Sequence, residues 1–248
     1  MSGIAAPLHG VAAVVLDTDG VITDSAHLHA AAWKGAFDTF LREHPPQRPD
    51  DQRPFDVLVD YPLYVDGRAR RDGATAFLVS RGVRPEPAVV DAIAEAKDSA
   101  YGERLRAGAP VPAFRGTVDL LHTLLSEGVL LAAASASRHA GQLLRRAHVV
   151  DLFDAVVDGT EAARLGLRGK PHPDLFLEAA RRLRTAPGAT AVVEDAVSGV
   201  TAARRGGFAV VVGVDRVGGP THRGRLVAAG ADVVVPDLGE LVTQGAVR

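Results

Sequence analysis

The stretch Val11-Ala12-Ala13-Val14-Val15-Leu16-Asp17-Thr18-Asp19-Gly20 is an apolar run that ends abruptly in two carboxylates and a glycine. The apolar residues read as a strand buried on both faces, and Asp19-Gly20 reads as the turn that stops it. In an open α/β sheet ligands collect at the carboxyl ends of the strands, so Asp17 and Asp19 stand where chemistry is usually done. Taken alone, a D-x-D-G sequence is most often a plain strand-ending turn. The rest of the chain decides between the two.

A chain of 248 residues has room for one large domain, or for a core and a smaller second domain, with a sizeable hydrophobic interior. A formal net charge of −2 gives no reason to expect a nucleic acid or membrane partner. The absence of cysteine excludes disulfides, thiol nucleophiles and thiolate-bound zinc, and suits a reducing compartment. No apolar run reaches the ~18 residues of a membrane span, and the N-terminus does not have the pattern of a signal peptide. A cytoplasmic monomer is expected. Of the 28 basic residues only Lys34, Lys97 and Lys170 are lysines. In so arginine-rich a chain, a site that needs a compact ammonium should stand out.

After the first strand, Asp24 or Ser25 is an N-cap candidate for a helix over His27 to Leu41, which carries the only tryptophan, Trp33, with His29 four residues before it on the same face. The proline-rich segment 44–54 cannot continue that helix. Phe55 to Val65 is mixed in pattern, Asp66-Gly67 is a turn, and helices are predicted over Gly73 to Arg81 and Pro87 to Leu105. The region is therefore expected to be an inserted α-helical cap over 25–109, with the core formed by 1–24 and 110–248. From Val111 the pattern predicts helices over Thr117 to Ser126 and His139 to Ala147. Strands are predicted at Val129–Ala134, near Ala155–Val157, and at Thr190–Val193, Ala209–Val214 and Asp232–Val235. Strands alternating with helices predict a doubly wound parallel sheet, a Rossmann-like α/β core.

In that arrangement Asp17 and Asp19 follow the first strand, Ser135 the second, and Glu194 and Asp195 the fourth. All share one edge of the sheet, and Lys170 lies in a loop that opens a helix and reaches the same edge. Each has a plainer reading: Ser135 and Glu194-Asp195 as helix caps, Lys170 as an exposed loop lysine. Together they suit one phosphate, one metal ion and one nucleophile, which capping alone does not predict.

Asp17-Thr18-Asp19-Gly20-Val21, Ser135, Lys170-Pro171 and Glu194-Asp195-Ala196-Val197-Ser198-Gly199-Val200 resemble, in order and type, the four motifs of the haloacid dehalogenase-like phosphotransferases. His29, Trp33, the run Ala134-Ser135-Ala136-Ser137 and Lys170-Pro171-His172-Pro173-Asp174 are similar to the β-phosphoglucomutase family within it. The resemblance covers nearly the whole chain. It implies a Mg²⁺-dependent enzyme acting on sugar phosphates, with Asp17 as nucleophile and Asp19 as general acid and base. Asp17, the Asp19 carbonyl and Asp195 are implied metal ligands with Glu194 beside them, and Ser135 and Lys170 hold the transferring phosphoryl group. His29, Trp33, Arg70, Ala136, Ser137 and Arg138 are implied at the sugar or its second phosphate. Thr18 stands where an apolar residue is usual, Arg138 and His139 where lysine and asparagine are common, and the segment 44–54 lengthens the cap. The expected activity interconverts β-glucose 1-phosphate and glucose 6-phosphate through a 1,6-bisphosphate. A sugar-phosphate phosphatase is the near alternative. A phospho-receiver domain, which uses a similar residue set, is normally far shorter and is phosphorylated after a mid-chain strand. A dinucleotide-binding module would require a G-x-G-x-x-G after the first strand, which is absent.

Overall fold

The fold is described from a computed structural model covering residues 3–216, 218 and 220–243. The outermost ends of the expected core, with Val217 and Gly219, lie outside the described residues. The chain divides into two compact units, residues 1–24 with 111–248 and residues 25–110.

In the first unit a short strand β1 (Gly3–Ile4) precedes β2 (Ala13–Leu16), the strand that leads to Asp17. The helices of the second unit come next in order: α1 (Ala26–Glu43), α2 (Arg70–Ser80) and α3 (Pro87–Arg106). Then follow α4 (Arg115–Ser126), β3 (Leu130–Ala134), α5 (Ala140–Arg146), β4 (Ala155–Val157), α6 (Gly159–Arg164) and α7 (Asp174–Arg182). The chain continues with β5 (Thr190–Glu194), α8 (Val197–Arg205), β6 (Val210–Val214), α9 (Pro220–Ala229), β7 (Val233–Val235) and β8 (Val242–Thr243). Strands β2 to β7 form one six-stranded parallel sheet in the order β4-β3-β2-β5-β6-β7, while β1 pairs antiparallel with β8.

The two-sided burial expected of the first strand is present. Val14 and Leu16 pack into one apolar cluster with Leu120, Leu131 and Val193, and Ala13 and Val15 pack into another with Phe176, Val192 and Val211. Successive side chains of a strand point to opposite faces, so an uninterrupted apolar run is what a sheet covered by helices on both sides requires. The strand is shorter than the apolar run: Val11 and Ala12 precede it, and the Ala12 amide donates to Ala189 O at 2.8 Å. The order of the sheet places β2 at its centre, with the carboxyl ends of β2, β3 and β5 side by side.

The helical unit has its own core, in which Phe37 of α1 stacks on Trp33 at 4.9 Å between ring centroids and meets Phe77 of α2 at 4.0 Å and Phe55 at 5.1 Å. Here the pattern predicted less well. Helix α2 begins at Arg70, not Gly73, and the mixed segment before it contains one turn of π-helix, Tyr61–Val65. That turn is secured by Asp60, which is fully buried and accepts from Arg53 at 2.8 and 2.9 Å and from the buried Arg81 at 2.7 Å. Burial works to raise the Asp60 pKa, but the hydrogen bonds from Arg53, Arg81 and the Asp56 amide leave it below the usual carboxylate value.

Candidate active site

The register of the sheet builds the site. Leu16 of β2 is opposite Ala133 of β3 and Val193 of β5, so the residues that follow these strands emerge at one level. Asp17 donates its backbone amide to Val193 O at 3.0 Å, and Ser135 donates its own to Val157 O at 2.9 Å. Both residues are thus the last held by the ladder before the chain turns away.

Five of the expected residues meet there by direct contact. Lys170 Nζ donates to Asp17 Oδ1 at 2.5 Å and to Glu194 Oε1 at 2.6 Å, although its loop is remote in sequence from both strands. Asp17 Oδ2 accepts from the Asp19 amide at 2.9 Å, and Ser135 Oγ donates to Asp19 Oδ2 at 3.3 Å. Lys170 is 1 % exposed, so it is not the solvated loop lysine that its sequence position allowed. Its ammonium also lies 4.7 Å from the centroid of the Phe176 ring, a contact suited to a desolvated cation.

Burial is the largest influence on the Asp17 carboxyl and pushes it up to about 8. The Lys170 ammonium opposes that rise, and the negative charges of Glu194 and Asp19 add to it. Burial would lower the Lys170 pKa, but the two carboxylates that grip it more than reverse this, so it stays an ammonium throughout the neutral range. The balance is a buried anionic site with one cation in it.

Gly20 and Gly199 let the carboxylates pack so closely. Gly20 has φ +82°, and a Cβ built on it would fall 1.9 Å from Asp195 Oδ2. A Cβ on Gly199 would fall 1.7 Å from Glu194 Oε1. Both positions require a residue without a side chain, and at Gly20 the backbone conformation requires it as well. Glu194 directs its second oxygen to the Ala196 amide at 2.6 Å, so both of its oxygens are engaged by the protein. Asp195 faces Gly20, and its backbone carbonyl accepts from His222 Nε2 of α9 at 3.1 Å.

These donors fit a small hard dication. Asp17, Asp19 and Asp195 offer only oxygen, Asp195 closes on the cradle that Gly20 leaves, and a bound cation would offset the burial and the neighbouring negative charge that raise Asp17. Among the described residues no three His, Asp or Glu side chains converge as a ready-made cage. Carbonyl and water ligands would have to complete the shell, which is the usual way Mg²⁺ is bound.

The loop after β3 carries Ala136, Ser137 and Arg138. The Ser137 amide donates to Ser135 Oγ at 3.0 Å, and Ser137 O accepts from the Gly159 amide at 3.0 Å, while Arg138 is exposed. In the helical unit, His29 stacks on Tyr101 at 4.0 Å and its Nδ1 lies 2.8 Å from Lys97 Nζ. Lysine has no acceptor to offer, so His29 Nδ1 takes the hydrogen bond and the ring carries its proton on Nε2. Trp33 is buried beside Phe37, with Lys97 Nζ 5.5 Å from its ring centroid. Arg70 lies at the start of α2, its Nη1 4.0 Å from Asp98. Lys97 carried a usable sign: it is one of only three lysines in the chain, and all three make specific contacts, Lys34 with Phe55 O and Asp38.

Residues 11–207 match the haloacid dehalogenase-like hydrolase family. The chain belongs to that family. It is 39% identical over 242 residues to the β-phosphoglucomutase of Mycobacterium bovis, with 94% of this chain and 92% of that one covered. It is 34% identical over 235 residues to the β-phosphoglucomutase of Bacillus subtilis, covering 94% and 92%. Among solved structures it superposes on a β-phosphoglucomutase from Clostridium difficile with a TM-score of 0.73 and 24% identity, over 93% of each chain, a likeness of fold. Membership in this enzyme family agrees with the α/β core and with the order of the four motifs along the chain.

Proposed function

We propose that this protein is a Mg²⁺-dependent phosphosugar mutase that interconverts β-D-glucose 1-phosphate and D-glucose 6-phosphate through an aspartyl-phosphate enzyme and a glucose 1,6-bisphosphate. The observation that carries this is the contact of Asp17 with Lys170 beside the Ser135–Asp19 pair. The similarity to β-phosphoglucomutases over nearly the whole chain supports the choice of substrate.

In this reading Asp17 attacks phosphorus in line and Asp19 protonates the departing sugar oxygen, later taking the proton back from the accepting hydroxyl. Ser135 and Lys170 hold the equatorial oxygens as charge shifts among them. Glu194 anchors Lys170 from the other side and keeps it charged. Asp17, the Asp19 carbonyl and Asp195 would hold the cation, which supplies the positive charge that lets an anionic carboxylate approach a phosphate. Ser137 and Ala136 supply backbone and hydroxyl contacts to the bound group, with Arg138 reaching from the same loop. His29 presents Nε2–H to the sugar, backed by Lys97 and Trp33. Arg70 grips the phosphate that is not reacting, a role suited to a guanidinium fork.

The family's description as hydrolases favours one second reading, a phosphatase using the same core residues. The test is a panel of sugar phosphates assayed with Mg²⁺, with and without a trace of β-glucose 1,6-bisphosphate. A mutase yields glucose 6-phosphate only when primed. Release of inorganic phosphate at the same rate without primer would establish the phosphatase.

A further inference from the structure

The turn that carries Asp19 is held by three successive carbonyls, and one side chain outside the four motifs bonds the first and touches the groups that bond the other two. Gly20 O accepts from Arg216 Nε at 3.3 Å, Val21 O from Thr117 Oγ1 at 2.8 Å, and Ile22 O from the Phe114 amide at 3.0 Å. The same guanidinium donates from Nη2 to Thr117 Oγ1 at 3.4 Å and lies 3.8 Å from the centroid of the Phe114 ring. Its Nη1 donates to Pro236 O at 3.3 Å and to the Asp237 carboxylate, which anchors it on the far side. Within the turn, Thr18 O accepts from the amides of Ile22 and Thr23 at 3.0 and 2.9 Å, and Gly20 N donates to Thr23 O at 2.9 Å. The turn is thus closed on itself, and Arg216, Thr117 and Phe114 seat its carbonyls on the core beside the Ser135 contact to Asp19 and the bridge between Thr23 and Ala113.

We propose that Arg216 is a positioning residue for the phosphotransfer reaction, acting through the Gly20 carbonyl and through Thr117 and Phe114 to fix the turn that aims the Asp19 carboxylate. The role needs an arginine. A planar fork stacks on Phe114 while directing donors to Gly20, Thr117 and Asp237 at once, and a lysine ammonium has neither the plane nor the spread of donors. A small displacement of an acid/base group is costly to rate, about 100-fold for roughly 1 Å, while ground-state binding of the sugar phosphate does not depend on it.

The proposal rests on the phosphotransferase reading, and its test separates the two. Arg216→Ala and Arg216→Lys are purified, checked for a cooperative thermal transition, and assayed with β-glucose 1-phosphate and bisphosphate primer. Amide hydrogen exchange is followed in parallel for residues 18–23. The expected result is a fall in kcat of about 10- to 100-fold in Arg216→Ala with KM changed less than about threefold, and faster exchange at Gly20 to Thr23. Arg216→Lys should recover little of the rate, and millimolar guanidinium ion should restore part of kcat to Arg216→Ala where the same ionic strength of sodium chloride does not. Should Arg216→Ala fail to fold, Arg216→Lys keeps a charge toward Asp237 and carries the same test. Unchanged kcat and unchanged exchange in a folded variant overturn the proposal, as does a lysine variant with wild-type kcat. If the wild-type chain transfers no phosphoryl group at all, the functional reading fails, and the exchange data alone then decide whether Arg216 seats the turn.

Discussion

Asp17 and Thr18 are neighbours in sequence and opposite in consequence. Asp17→Asn removes the anionic oxygen that forms the acyl phosphate while keeping shape, so turnover should be abolished with the fold intact. Trapping labelled phosphoenzyme from a small acyl phosphate in wild type but not in the variant checks this, and near wild-type turnover would refute the nucleophile. Thr18 is fully buried, and its hydroxyl has no hydrogen-bond partner among the described residues. An apolar residue is what the family resemblance leads one to expect there, and Thr18→Val keeps the volume while removing the unsatisfied group. The variant should be more stable by about 1 kcal/mol, read as a higher denaturant midpoint with unchanged slope. A lower midpoint would show that the hydroxyl has a partner in solution.

At the scale of elements, the strands were more legible than the short helices. Buried parallel strands are runs of Val, Leu and Ala, and each was found within a residue or two of its expected ends. Helix α6 escaped because Asp158-Gly159 reads equally as a strand-ending turn. Asp158 in fact caps the helix, accepting from the amides of Thr160 and Glu161 at 2.9 and 3.0 Å. Helices α6 and α7 are joined by charge: Glu178 accepts from Arg181 and Arg182, and Arg182 also reaches Glu161. The hydrogen bond from Arg181 is the largest influence on Glu178 and, with that of Arg182, lowers its pKa from 4.5 to about 2. A carboxylate whose folded pKa is depressed contributes stability in full above its unfolded value and loses it as pH falls through the folded one. The Glu178 contribution is therefore present at pH 6 and disappears between about pH 4.5 and pH 2. Glu178→Gln should be less stable than wild type at pH 6, and the gap should close as acid unfolding is followed to pH 2. A gap that persists unchanged at low pH would assign the loss to packing.

The whole molecule is a phosphotransfer core with a helical unit inserted between Asp24 and Val111. The proposed mutase activity depends on how long the aspartyl phosphate waits for a sugar acceptor before water reaches it. If Arg70 grips the distal phosphate, Arg70→Ala removes a charge-assisted contact of about 1.5 to 3 kcal/mol and should raise KM by about one to two orders of magnitude. Lower acceptor occupancy should also shift products from isomerised sugar phosphate toward free phosphate, while small acyl phosphates label Asp17 as before. Following both products in one assay checks this. An unchanged ratio at unchanged KM would leave Arg70 as a surface arginine paired with Asp98.

Taken by itself, the sequence determined the alternation of strands and helices and the order of the four motifs, because short apolar runs and turn chemistry are local and leave a local trace. It also marked Asp17, Asp19, Ser135 and Glu194 as residues at strand ends. Tertiary structure decided what those residues touch. Lys170 and Asp17 are 153 positions apart, and Arg216 and Gly20 are 196 apart. A contact across such a distance has no periodicity to betray it, since it exists only once the sheet has set the register. The same holds for Glu194, whose carboxylate could have faced a cation or a lysine. The packing of Gly199 against it and the Ala196 amide turned it toward Lys170.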